Sequence, residues 1–189
     1  MTGSNTPLLL DVQNSQLSII DIQTRLLNVM SGPKSLIKQC QILISAAKSL
    51  DIPITVSEQY PSGIGTTDAS LVQTLAEHYQ PIEKTCFSCC DSLEYTKRIQ
   101  QFPDRTQYVL SGIEAHVCVL QTAMALLNEQ KQVFIVADAI SSRSNKNKRL
   151  ALRRLQQAGA IITCTESVLF EWLKDAKHSQ FKTLSALIR

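Results

Sequence analysis

Short apolar runs alternate with longer amphipathic stretches along the chain, and the alternation predicts strands and helices in turn. Residues 17–20 read Leu-Ser-Ile-Ile, a run of strand length, whereas 35–50 place Leu36, Ile37, Leu43, Ile44 and Ala47 at helical spacing. Asp51-Ile52-Pro53 punctuates the chain before a second strand over 54–56. A glycine-bearing loop over 60–67 follows, then a helix over 69–78 and a short strand over 82–85. The next helix covers 91–101 with Asp91 as candidate N-cap, and 107–110 is a strand. Beyond it lie a helix over 117–129, a strand over 132–137, a helix over 145–158 stopped at Gly159, and a strand over 160–163. The tail reads as helical over 167–173 and 179–188. Six strands separated by helices predict an α/β fold with a mostly parallel sheet covered on both faces.

Composition narrows this picture without redirecting it. With 189 residues and no stretch resembling a linker, a single domain over 1–189 is expected. Hydrophobic residues make up 44% and charged residues 19%, as in ordinary globular chains, and a net charge of +3 is too small to point to nucleic acid. The basic stretch 143–154 interleaves with Leu150, Leu152 and Leu155 at helical spacing and reads as a solvated helix face. No apolar run approaches the ~20 residues of a membrane span. Leu8 to Leu10 lack a basic segment before them and a cleavage pattern after them, so export is not expected. A cytoplasmic protein with reduced cysteines follows. Cys86-Phe87-Ser88-Cys89-Cys90 contains one C-x-x-C, but neither Cys118, Cys164 nor the three histidines supply the second ligand pair of a zinc site. No metal and no cofactor are expected.

In a parallel α/β sheet the chemistry gathers at the carboxyl ends of the strands. Those ends carry Asp21-Ile22-Gln23, Ser57-Glu58-Gln59-Tyr60, Glu83-Lys84-Thr85, the turn from Gly112 to Cys118, and Asp138-Ala139-Ile140-Ser141. Cys118 stands where a strand passes into a helix, and backbone N–H groups at a helix start favour a thiolate. Asp21 could take the thiol proton, Lys84 could hold that carboxylate, and the N–H groups of the turn could bind a developing oxyanion. Each residue also has a plain explanation: a cap for Asp21, a surface lysine paired with Glu83, a core cysteine. Their shared position at strand ends favours the joint reading.

Read in order, these segments resemble the isochorismatase-like cysteine hydrolase family. The likeness is carried by Asp21-Ile22-Gln23 with Arg25-Leu26-Leu27, by Glu58-Gln59-Tyr60-Pro61 with Gly63 and Gly65, and by Lys84-Thr85-Cys86-Phe87-Ser88-Cys89. It continues through Gly112-Ile113-Glu114-Ala115-His116-Val117-Cys118 and Asp138-Ala139-Ile140-Ser141-Ser142-Arg143. The resemblance implies a three-layer α/β/α sandwich with a six-stranded sheet in the Rossmann-like order 321456. It places a catalytic triad on Asp21, Lys84 and Cys118, a non-proline cis peptide at Ile113-Glu114, and oxyanion donors on the backbone N–H groups of Glu114 and Cys118. Gln23, Gln59, Tyr60 and His116 are the expected substrate-binding residues, although for His116 a place in the core or behind the pocket is the favoured reading. Leu10-Asp11-Val12-Gln13 repeats the Asp-x-Gln pattern, but polar Asn14-Ser15-Gln16 follows it, which suits a turn. Nicotinamidases of this family bind a metal through an Asp-x-His after the second strand; this chain has Glu58-Gln59-Tyr60 there, which removes an imidazole ligand. The expected activity is hydrolysis of a small amide or related C–N bond by a homo-oligomer. Enol-ether hydrolysis, with Asp21 as acid, and a weakly catalytic oligomeric binding protein remain alternatives.

Overall fold

The computed structural model describes residues 9–188. The readings that touch 1–8 and 189, the amino-terminal one at Leu8 and the ends of the expected domain, lie outside the described residues. Six strands form one sheet: β1 Ser15–Ile20, β2 Ile54–Gln59, β3 Ile82–Lys84, β4 Gln107–Ile113, β5 Gln132–Ser141 and β6 Ile161–Thr163. Their order is β3-β2-β1-β4-β5-β6 and every adjacent pair is parallel. The order reverses between β1 and β4, and a crevice opens at such a switch point.

Neighbouring residues of the central strands serve opposite layers, as the two-residue period of a strand requires. Leu17, Ile19, Val109, Phe134 and Val136 join one buried cluster; Ile20, Tyr108, Leu110, Val133 and Ile135 join the other. The first cluster is closed by α2 Pro33–Ser49, α4 Ala69–Leu75, α8 Thr165–Leu173 and α9 Phe181–Ser185, with Leu43, Leu71, Trp172 and Leu184 pointing in. The second is closed by α5 Leu93–Ile99, α6 Leu120–Asn128 and α7 Asn145–Gln157, through Tyr95, Ala123 and Leu155. Two one-turn helices, α1 Thr24–Leu27 and α3 Pro61–Ile64, flank the site end of the sheet. Among the described residues no helix is long and apolar enough to cross a membrane.

Several boundaries depart from the sequence reading. The strands expected to end at 110 and 137 run on to Ile113 and Ser141, because β4 lies between two partners that continue to offer backbone hydrogen bonds. A register shift falls between Leu110 and Gly112. The helix expected over 69–78 breaks at Ala76, whose φ is 51°, and finishes as a 3-10 turn, Ala76–His78. Asp91 is not an N-cap: it closes the 3-10 turn Cys89–Asp91, and Ser92 takes the cap position of α5. The helix expected over 117–129 opens as a π-helical turn, Ala115–Val119, before α6 begins. On α7 the inward stripe is Ala151 and Leu155, while Leu150 is 52% exposed. In the tail, Trp172, Leu173 and Leu184 are core residues, and Phe170 remains 39% exposed.

Candidate active site

β1 ends in Ile20, and the next residue, Asp21, turns the chain at φ 52°, a left-handed conformation that aspartate tolerates better than most residues. The turn is pinned by Asp21 N–H to the Ser57 carbonyl at 3.1 Å and by Gln23 N–H back to the Asp21 carbonyl at 2.8 Å. It presents the carboxylate beside the last residue of β3, Lys84. Lys84 Nζ donates to Asp21 Oδ2 at 2.7 Å, with both side chains 0% exposed, and Ser57 Oγ donates to Oδ1 at 2.7 Å. The ammonium also donates to Gln59 Oε1 at 2.7 Å and to the Cys86 carbonyl at 3.2 Å. Burial alone would lower the Lys84 pKa, but the negative charge of Asp21 leads the opposing influences and the net direction is upward. A buried charge so paired and hydrogen-bonded remains an ammonium at neutral pH.

Cys118 approaches the same carboxylate from the other side of the switch point. The peptide between Ile113 and Glu114 is cis, and the Glu114 carbonyl accepts from the N–H groups of Val117 at 3.0 Å and Val119 at 3.3 Å. Cys118 is 6% exposed and lies close enough to Asp21 for that charge to act on its thiol. Burial first, then the Asp21 charge, pushes this thiol well above its ordinary pKa, with Lys84 opposing. The field expected at a helix start, which favours the thiolate, is therefore opposed here by burial and by the Asp21 charge.

The other expected site residues divide by what their side chains touch. Gln23 is 0% exposed; its Nε2 donates to the carbonyls of Gln59, at 3.0 Å, and Gly65, and its Oε1 accepts from Gln59 N–H at 2.8 Å. Both ends of that amide thus fasten the loop after β2. Gln59 supports Lys84 through Oε1 and donates through Nε2 to the Thr85 carbonyl at 2.7 Å. Glu58 turns away, accepting from Thr67 and Tyr79. Tyr60 is 54% exposed and, with Pro61, Lys84, Thr85 and Cys86, lines a cleft of about 360 Å³. His116 is held between Ser142 Oγ, 3.0 Å from Nδ1, and Asn147 Nδ2, 3.3 Å from Nε2, and borders a second cleft of about 530 Å³ with Ser88, Asp91 and Leu120. Asp91 lines both clefts.

Sequence reasoning passed over two groups here. Ser57 and Cys89 stand behind Asp21: the Cys89 thiol is 3.5 Å from Ser57 Oγ. Arg143 clamps Glu114, with Nη2 to Oε1 at 2.7 Å and its backbone N–H to Oε2 at 3.0 Å. Burial alone would raise the Glu114 pKa, but the bonds from Arg143 carry it below the ordinary value. The position of Ser57 at the end of β2 was a usable signal; the thiol of Cys89 had none, since buried inert cysteines are common. All six cysteines are free. Among the described residues no group of three or more His, Cys, Asp or Glu side chains is placed to hold a metal ion.

Comparison with known proteins adds the following. The isochorismatase domain matches residues 15–167. Isochorismatase family protein 1A of Dictyostelium discoideum is 37% identical over 94% of this chain and 87% of its own length. Among solved structures, MAR1 ribonuclease from Caenorhabditis elegans is 37% identical, covers 95% of this chain and 92% of its own, and superposes with a TM-score of 0.89. The YcaC gene product of Escherichia coli, described as an octameric hydrolase of unknown specificity, covers 96% of this chain and 90% of its own with a TM-score of 0.90. At 22% identity that last match is a likeness of fold.

Proposed function

This chain belongs to the isochorismatase family, and from that premise we propose that it hydrolyses a small amide or related C–N bond through a thioester on Cys118, without a metal ion. One observation supports the reading: Lys84 donates to the carboxylate of Asp21, whose charge also acts on the Cys118 thiol, and all three residues are almost wholly buried. A thiol held neutral against a carboxylate is poised for proton transfer coupled to attack.

In the proposed sequence Asp21 removes the Cys118 proton as sulfur bonds to the carbonyl carbon. The N–H groups of Glu114 and Cys118 receive the oxyanion. Asp21 then protonates the amine as the C–N bond breaks, leaving an acyl thioester. Water, deprotonated by the same carboxylate, attacks the thioester; the acid departs and the thiol regains its proton. Lys84 stays charged throughout and holds Asp21 in place. The substrate enters by the cleft walled by Tyr60, with Gln59 and Gln23 stabilising that wall from behind and His116 bordering the second cleft. Catalysis requires a free thiol, which places the protein in a reducing, cytoplasmic compartment. We also propose a homo-oligomer, on the precedent of the octameric Escherichia coli neighbour.

A thermal-shift screen of small amides, followed by assays of ammonia or amine release, tests the activity. The panel carries a single-stranded RNA oligonucleotide, because the Caenorhabditis elegans neighbour is named a ribonuclease. Cys118→Ala is expected to lower turnover by about a thousandfold or more. Full activity in that variant would exclude the thioester and turn attention to enol-ether substrates with Asp21 as acid. Absence of any product burst across the panel would favour a binding protein.

A further inference from the structure

Asp21 is held at both carboxylate oxygens, and only Lys84, at Oδ2, has been given a part in the chemistry. At Oδ1 the donor is Ser57 Oγ, at 2.7 Å, and behind Ser57 stands the Cys89 thiol at 3.5 Å. Ser57 is 1% exposed and Cys89 0%, so water does not compete for either group. Cys89 is fixed by its own N–H, which donates to Thr122 Oγ1 at 2.9 Å, and Thr122 lies one helical turn beyond Cys118. Burial, followed by the Asp21 charge, holds the Cys89 thiol up to about 11, so it is protonated at neutral pH and acts as the donor. A hydroxyl has a single proton to give. With Cys89 donating to its oxygen, Ser57 directs that proton to Asp21.

The geometry points to Ser57, oriented by Cys89, as a positioning residue for Asp21: the chain Cys89 S–H to Ser57 O–H to Asp21 Oδ1 fixes the carboxylate so that Lys84 and Cys118 both reach it. This inference rests on Asp21 being the proton acceptor for Cys118. The titratable groups facing Asp21 are Lys84 from β3, Cys118 from the π-helical turn and Cys89 from the 3-10 turn.

The test needs no substrate. Iodoacetamide alkylates Cys118 by forming an S–C bond as the C–I bond breaks and iodide leaves, while the thiol proton passes to Asp21 and then to water. Its rate at Cys118 is followed by mass spectrometry at neutral pH. In Ser57→Ala the rate is expected to fall about tenfold. Ser57→Thr should restore it, Cys89→Ala should lower it less, and Cys89→Ser should restore it. A Ser57→Ala rate equal to that of wild type, while Asp21→Asn has lost its reactivity, would overturn the inference and leave Asp21 as the base. Labelling of Asp21→Asn indistinguishable from wild type would overturn the reading of Asp21 itself. Should circular dichroism show Ser57→Ala unfolded, the Cys89 pair decides: identical rates for Cys89→Ala and Cys89→Ser overturn the chain.

Discussion

Lys84 and Asp21 form an ion pair from which water is excluded, and such a pair matters most when one partner is removed. In Lys84→Met the carboxylate would keep Ser57 and lose its cation, leaving an uncompensated buried charge. A loss of about 3–5 kcal/mol in urea denaturation is expected, together with loss of turnover. Glu114 gives a prediction that depends on pH. Its folded-state pKa lies below the ordinary 4.5 because Arg143 bonds the ionised form. A depressed carboxylate contributes stability above its ordinary value, and that contribution disappears as pH falls through the folded value. The thermal midpoint of wild type should therefore exceed that of Glu114→Gln at neutral pH, and the gap should close below the ordinary value; a constant gap would contradict the pairing. At this scale the chain displayed which residues carry reactive groups, and Asp21, Lys84 and Cys118 were selected from their places after strands. Their protonation was not legible. The sequence suggests a thiolate at a helix start, whereas burial and the charge of Asp21, nearly a hundred residues away in sequence, push the thiol the other way.

Two of the elements that carry these residues, β1 and β4, pair with Ile20 opposite Gly112. Gly112 has φ 122°, and a Cβ there would lie 2.0 Å from the Ile20 carbonyl oxygen. Backbone on both sides leaves nothing flexible to yield. Gly112→Ala is expected to lower stability by at least about 3 kcal/mol; a thermal midpoint near that of wild type would rule out the close approach. The same position shows why strand ends were misjudged. Ser111-Gly112 and Ala137-Asp138 have the composition of turns, yet both belong to strands, because β4 and β5 extend wherever a neighbour supplies hydrogen bonds. Gln23 and Gln59 show a related effect. A polar amide at a strand end suggests ligand contact, but here both are engaged in holding the loop after β2 and the Lys84 ammonium.

Across the whole molecule the sheet separates two apolar layers, each with its own reporter. Trp172, the chain's one tryptophan, is 1% exposed in the first and donates to Ser15 Oγ at 2.9 Å; Cys89 is buried in the second. Because central strands contribute alternate residues to both layers, loss of one should expose the other. Tryptophan fluorescence and Cys89 reactivity toward a thiol reagent are expected to change together in denaturant; separated transitions would show that the layers come apart independently. The alternation of apolar runs and amphipathic stretches was sufficient to determine a parallel α/β sheet, since a two-residue period and a three-to-four-residue period are local properties of the chain. The segments around Asp21, Lys84 and Cys118 likewise sufficed to indicate the family. Only the tertiary structure decided that burial and the Asp21 charge bear on the Cys118 thiol, that Gln23 and Gln59 are bonded within the scaffold, and that Ser57 and Cys89 stand behind Asp21. Those outcomes depend on which distant groups share one dry volume, and no local pattern encodes that.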